Sequence, residues 1–154
     1  AHGSDPDAAD ANDAAVPIAS RHRVPFIIGG HPNIITVEYL WTTAQTDDAV
    51  VTISTGSKIV VTQLQVTIDE ATTVGVGFRV GFATSTLPTP PTDGNAVAGY
   101  LASHRGLVPG AVLTRGDGSG MLGVGADNED LRITAEAPTS GSASLVVSYY
   151  TVPS

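Results

Sequence analysis

The sequence predicts an all-β protein, a β-sandwich or jelly roll of about eight strands with an extended N-terminal arm. Three observations lead there. Val, Ile and Thr are abundant, and β-branched side chains suit a pleated, half-buried surface. From residue 34 onward, apolar and polar residues alternate with period 2 in several separate runs. Between the runs stand clusters of Gly, Pro, Asp and Asn; 17 Gly and 10 Pro in 154 residues supply the turns that short strands need. No stretch carries a convincing 3.6-residue period, and there is no internal repeat.

Residues 1–15, AHGSDPDAADANDAA, hold Asp5, Asp7, Asp10 and Asp13 and no Lys or Arg, which is half of the formal charge of −8. Such a segment buries too little apolar area to offset its ordering entropy, so alone it is expected to be a disordered tail, and its carboxylates are candidates for a basic patch on a partner. In residues 16–33, VPIASRHRVPFIIGGHPN, Val24, Phe26, Ile27 and Ile28 lie among Pro17, Pro25, Pro32 and Gly29-Gly30. Proline lacks the N–H of a central strand and holds its predecessor extended. This reads as a greasy arm that lies on a partner, with Arg21 and Arg23 available to acidic groups there. The division expected is a tail over 1–15, an arm with the first strand over 16–45, and a sandwich domain over 46–154.

The clearest strands are three. Val74, Val76, Phe78, Val80 and Phe82 alternate with Gly75, Gly77, Arg79 and Gly81, which predicts one apolar face and one nearly bare. Val60, Thr62, Leu64, Val66 and Ile68 alternate with Val61, Gln63, Gln65 and Thr67. Leu131, Ile133, Ala135 and Ala137 alternate with Arg132, Thr134 and Glu136. Weaker candidates are 34–41, 49–54, 97–103, 111–114, 120–125 and 143–152. The stretch 83–96, ATSTLPTPPTDGNA, is a Pro-rich loop.

Charge narrows the function. Only 14% of residues are charged, and uncharged β surface tends to associate, which suggests an assembly component. The net charge is acidic and the seven Lys and Arg are scattered, which argues against nucleic acid. No apolar run reaches the ~18 residues of a membrane span, and there is no signal-peptide pattern, so synthesis in a cytoplasm is expected. The absence of Cys excludes a disulfide scaffold and cysteine-ligated zinc.

Candidate chemistry is thin. Ser103-His104 could enter a hydrolase triad, but no serine sits in a G-x-S-x-G elbow. Gly118-Ser119-Gly120-Met121-Leu122-Gly123 matches G-x-G-x-x-G without the helix that a dinucleotide site needs. Arg115-Gly116-Asp117 is a three-residue match to an integrin-read triplet. Asp127, Asn128, Glu129 and Asp130 offer oxygen ligands for Ca²⁺ but lack the spacing of a calcium loop. His2, His22, His31 and His104 follow no metal spacing. Trp41, Tyr39, Tyr100, Tyr149 and Tyr150 could form a platform for sugar. The reading is a non-enzymatic protein without a cofactor; a carbohydrate-binding module is the alternative outside particle assembly.

One resemblance adds to this. Gly29-Gly30-His31-Pro32-Asn33-Ile34, Thr42-Thr43-Ala44-Gln45-Thr46, Lys58-Ile59-Val60-Val61-Thr62, the segment Pro91 to Gly99 and the segment Gly123 to Thr134 resemble small virion proteins of tailed phages and prophages. Together they span most of residues 25–150. The resemblance implies a capsid-decoration subunit on the outer capsid surface, made in the host bacterial cytoplasm. It further implies contact with the major capsid protein and a homo-oligomer, a trimer in many such proteins. A tail or head-fibre component is the neighbouring alternative.

Overall fold

The computed structural model describes residues 33–83, 100–118 and 120–154. None of these is helical, so no helix among them is long and apolar enough to cross a membrane. They form nine strands: β1 (Ile35–Trp41), β2 (Gln45–Val51), β3 (Ser57–Ile68), β4 (Val76–Ala83), β5 (Tyr100–Leu107), β6 (Val112–Arg115), β7 (Gly123–Val124), β8 (Asp130–Ala135) and β9 (Ala143–Pro153). All pairings are antiparallel, in two sheets. The first has the order β1-β9-β3-β6, with β7 also on β3; the second has the order β2-β8-β4-β5. The pairing is nested, first strand with last and inward from there: β1 with β9, β2 with β8, β3 with β6 and β7, β4 with β5.

Both sheets feed one apolar core. Trp41, Ile59, Val61, Leu64, Val66, Leu145 and Val147 come from the first sheet, and Val51, Phe78, Val80, Leu131 and Ile133 from the second. The count of nine against about eight has a local cause. β6 and β7 lie along the same strand, β3, at Leu64–Thr67 and Val60–Val61, and the chain between them leaves the edge as a loop.

The alternation expected for β3 holds only in part. Leu64, Val66 and Ile68 enter the core, but nearer the start of the strand it is Ile59 and Val61 that do, not Val60 and Thr62. A register shift between Val61 and Gln63 against β9 inserts an extra residue, and one extra residue exchanges the two faces. The Thr62 hydroxyl, turned to the interruption, donates to the Ser148 carbonyl at 3.1 Å.

β4 also differs from expectation. Val76, Phe78 and Val80 are in the core, yet Gly77, Arg79 and Gly81 are buried as well. The second face is bare of its own side chains but covered by its neighbours'. A Cβ at Gly77 would lie 2.8 Å from the Arg105 carbonyl, and one at Gly81 would lie 2.9 Å from the Tyr100 ring.

β2 starts four residues before the expected window and ends at Val51. Asp47, at φ 58°, interrupts its register with β8, so the alternation cue is lost where the strand begins. β5 runs on through His104 and Arg105 to Leu107, beyond the expected 97–103; residues 97–99 lie outside the described residues. In β8, Leu131, Ile133 and Ala135 reach the core, whereas Ala137 lies past the strand end and is exposed. β1, grouped with the arm in the sequence reading, is paired over its full length with β9.

Candidate interaction surfaces

The outer face of the first sheet is set by the residues that alternate with its core positions. Beyond the register shift at Thr62 they form three rows across the strands; before it, Lys58 and Val60 lie on the same face with Val152 and Tyr150. Thr36, Ser148 and Gln63 make one; Glu38, Val146, Gln65 and Thr114 the next; Leu40, Ser144, Thr67 and Val112 the third. Thr36 and Ser148 hydroxyls are hydrogen-bonded at 3.0 Å, and Leu40 and Val112 are exposed at opposite ends of their row. Glu38 is the one ionisable side chain in these rows. A face of hydroxyls, amides and aliphatic groups gives up little charge hydration when covered, and the cores of protein interfaces are likewise depleted in charge.

The outer face of the second sheet has a different chemistry. Arg132 of β8 pairs with Asp47 at 2.9 Å and Asp130 at 3.5 Å, and also donates to the Asp47 carbonyl. The left-handed backbone at Asp47 turns both its carbonyl and its carboxylate to that guanidinium, so one arginine ties edge strand β2 to β8. Arg79 of β4 lies with its guanidinium 5.2 Å over the Tyr100 ring, and the residue is 6% exposed. No carboxylate among the described residues pairs with it, and the buried Nε atoms of both arginines lack hydrogen-bond partners.

The candidates from sequence resolve as follows. Arg21, Arg23, Val24, Phe26, Ile27 and Ile28 of the arm, and Asp5, Asp7, Asp10 and Asp13 of the tail, lie outside the described residues. The acidic run 127–130 is engaged by the chain itself. Lys58 pairs with Asp127 at 3.1 Å, Asn128 accepts from the Gly56 N–H, Glu129 from the Ala126 N–H, and Asp130 from the Ile53 N–H. Among the described residues no group of three His, Cys, Asp or Glu is placed to hold a metal.

Gly116 of the Arg-Gly-Asp triplet has φ 76°, and a Cβ there would lie 2.2 Å from the Thr62 carbonyl oxygen, so close packing alone accounts for that glycine. Ser103 and His104 are successive strand residues and project to opposite faces; His104 Nδ1 accepts from the Gly106 N–H at 3.1 Å. Trp41 is 2% exposed and its indole N–H donates to the Glu136 carbonyl, which removes it from any sugar platform. No family model, curated protein or solved structure matches the chain.

Tyr39 gives a pH-dependent prediction. Its hydroxyl lies 2.7 Å from both Gln45 Oε1 and Asp48 Oδ2. Burial first, then the hydrogen bond and negative charge of Asp48, push its ionisation far above the ordinary tyrosine value. The folded state therefore keeps the proton while the unfolded chain releases it above about pH 10. Stability from this group is complete below that pH and declines as pH rises beyond it. Denaturant titrations should show the advantage of the parent over Tyr39→Phe constant from neutral to about pH 9 and shrinking by about pH 11. A constant difference throughout would refute the assignment.

Proposed function

We propose that this chain is a structural subunit of a tailed-phage particle, specifically a capsid-decoration protein that binds the major capsid protein on the outer surface and stabilises the shell. The observation that carries the reading is the outer face of the first sheet beyond the register shift at Thr62, a β surface whose three rows include one ionisable group, Glu38. It accords with a chain in which only 14% of residues are charged. The resemblance of residues 25–150 to small tailed-phage virion proteins is the second support. A subunit that binds only the assembled shell stabilises it by mass action, and repetition around a symmetric particle multiplies modest contacts.

The fold is read as a jelly-roll β-sandwich. With β6 and β7 taken as one interrupted strand, the nested pairing is that of a long antiparallel hairpin rolled onto itself, 1-9-3-6 against 2-8-4-5 around the shared core. In this reading the arm, through Val24, Phe26, Ile27 and Ile28 with Arg21 and Arg23, lies along a neighbouring subunit, and the tail aspartates meet basic groups there. Removing residues 1–33 should leave the two sheets folded and abolish binding to the particle, measured by co-sedimentation with shells. Unchanged affinity would refute the anchoring role.

The test of the function itself is the copy number of the chain in purified particles, by quantitative mass spectrometry against the major capsid protein. A simple integral ratio is the expected result. A handful of copies would move the chain to the tail or a head fibre, and absence from the particle would overturn the reading.

A further inference from the structure

Among the described residues each sheet ends in two edge strands, and three of the four carry features that obstruct pairing with another chain. β2 has the left-handed Asp47, register irregularities and two adjacent carboxylates, Asp47 and Asp48. β5 has register irregularities against β4 and the polar run Ser103, His104, Arg105. On the remaining edge of the first sheet, β6 and β7 are short and separated by a loop. β1 has none of these. It is seven residues in unbroken register with β9, contains no proline, and its one charged residue is Glu38. It also gathers exposed apolar side chains: Ile34 is 37%, Ile35 49% and Leu40 62% exposed.

We propose that β1 is a self-association edge, which pairs antiparallel with β1 of a second copy about a two-fold axis. Side-chain chemistry selects one register. Residues that meet must share a face, so the possible registers differ by steps of two. Centring the axis on Val37 places Val37 against Val37 of the partner subunit, Thr36 against Glu38, Ile35 against Tyr39 and Ile34 against Leu40. Every exposed apolar group of the edge then meets another, and the carboxylate meets a hydroxyl donor. Centring on Glu38 would set two carboxylates face to face, and centring on Thr36 would set Tyr39 against the polar Asn33 and leave Leu40 opposite no described residue. The product is one continuous sheet, ordered β6-β3-β9-β1 and onward through the partner in reverse, with an isologous interface. The inference stands apart from the particle reading, and its two-fold symmetry differs from the trimer that the resemblance implies.

The absence of native cysteine makes cross-linking direct. In the full chain, Val37→Cys should give a covalent dimer on oxidation, because directly opposed residues of an antiparallel pair lie within disulfide reach in either hydrogen-bonding position. Glu38→Cys, which faces position 36 of the partner, should not. Sedimentation of the unmodified chain should give twice 15.6 kDa. Leu40→Lys, a change at an exposed site that spares the fold, should weaken dimerisation about tenfold or more. Removing residues 1–33 should leave the dimer unchanged. A monomer at all concentrations, a trimer without the 37–37 cross-link, or cross-linking at 38 instead of 37 would each overturn the proposal. Loss of the dimer on removing 1–33 would overturn it in favour of the arm as occupant of the edge.

Discussion

Replacement of Phe78 by alanine should destabilise the protein by about 3–5 kcal/mol, enough to remove a large part of the stability of an ordinary domain. Phe78 is fully buried at the centre of β4, the strand between β8 and β5, and its ring is stacked on His104 at 6.3 Å between centroids. Its partners across the ladder are Ala135 and His104. Neither can extend into the space left by a ring, so the cost comprises lost transfer energy and a cavity that relaxes only partly. Chemical denaturation should show the midpoint falling sharply. A loss below about 1 kcal/mol would mean that the two sheets do not enclose this side chain as described.

The second large effect concerns the two arginines of the second sheet, which should respond in opposite directions. Arg132 sits between Asp47 and Asp130, all three about four-fifths buried. Arg132→Met would remove the cation that both carboxylates share and loosen β2 from β8. Breaking a fully buried pair costs roughly 3–5 kcal/mol; with the remaining access of water, about 2–3 kcal/mol is expected here. Arg79 has no carboxylate among the described residues to lose. Arg79→Met keeps an unbranched chain over Tyr100 and removes a buried charge that no described carboxylate pairs with, so stability should be unchanged or rise by up to about 1 kcal/mol. Comparison of the two variants by thermal and urea unfolding checks both. Equal destabilisation would show that Arg79 holds the sheet through an anion as Arg132 does.

The sequence located strands best where alternation was long and apolar. β3, β4, β8 and β9 each fall close to their expected windows, because Val, Ile, Leu and Phe at every second position have no other stable arrangement than one covered face. Where the backbone departs from regularity, alternation misleads. The inserted residue at Thr62 exchanges the faces of β3, and Asp47 hides the start of β2; neither leaves a mark that period-2 counting can read. The covered second face of β4 was illegible for another reason. Its glycines look bare in sequence, and only the pairing of β4 with β5 and β8 brings Tyr100 and Glu136 over them. The rows on the first sheet depend likewise on strand order and register, so Thr36, Ser148 and Gln63 are unrelated in sequence and adjacent in space. Low charge in the sequence implies a surface poor in charge, and only strand order and register show that the rows of the first sheet are one. The open edge at β1 was closer to legible, as an alternating run at 34–41 with one charge and no proline.

Nested pairing also dictates when the protein can fold. The shortest closure is between β4 and β5, and each further pair encloses the one before it, ending with β1 on β9. Among the described strands β1 thus has its partner in β9, the most distant in sequence, and on a ribosome it must wait for that partner until Tyr149 has left the exit tunnel. Such distant contacts make the loop-closure entropy large before any reward in burial, which places folding in the slow range of milliseconds to seconds typical of all-β domains. Until that final docking both the apolar edge of β1 and the edge of β9 are open, so the interval between synthesis and completion is when this chain is most exposed to pairing with the wrong copy.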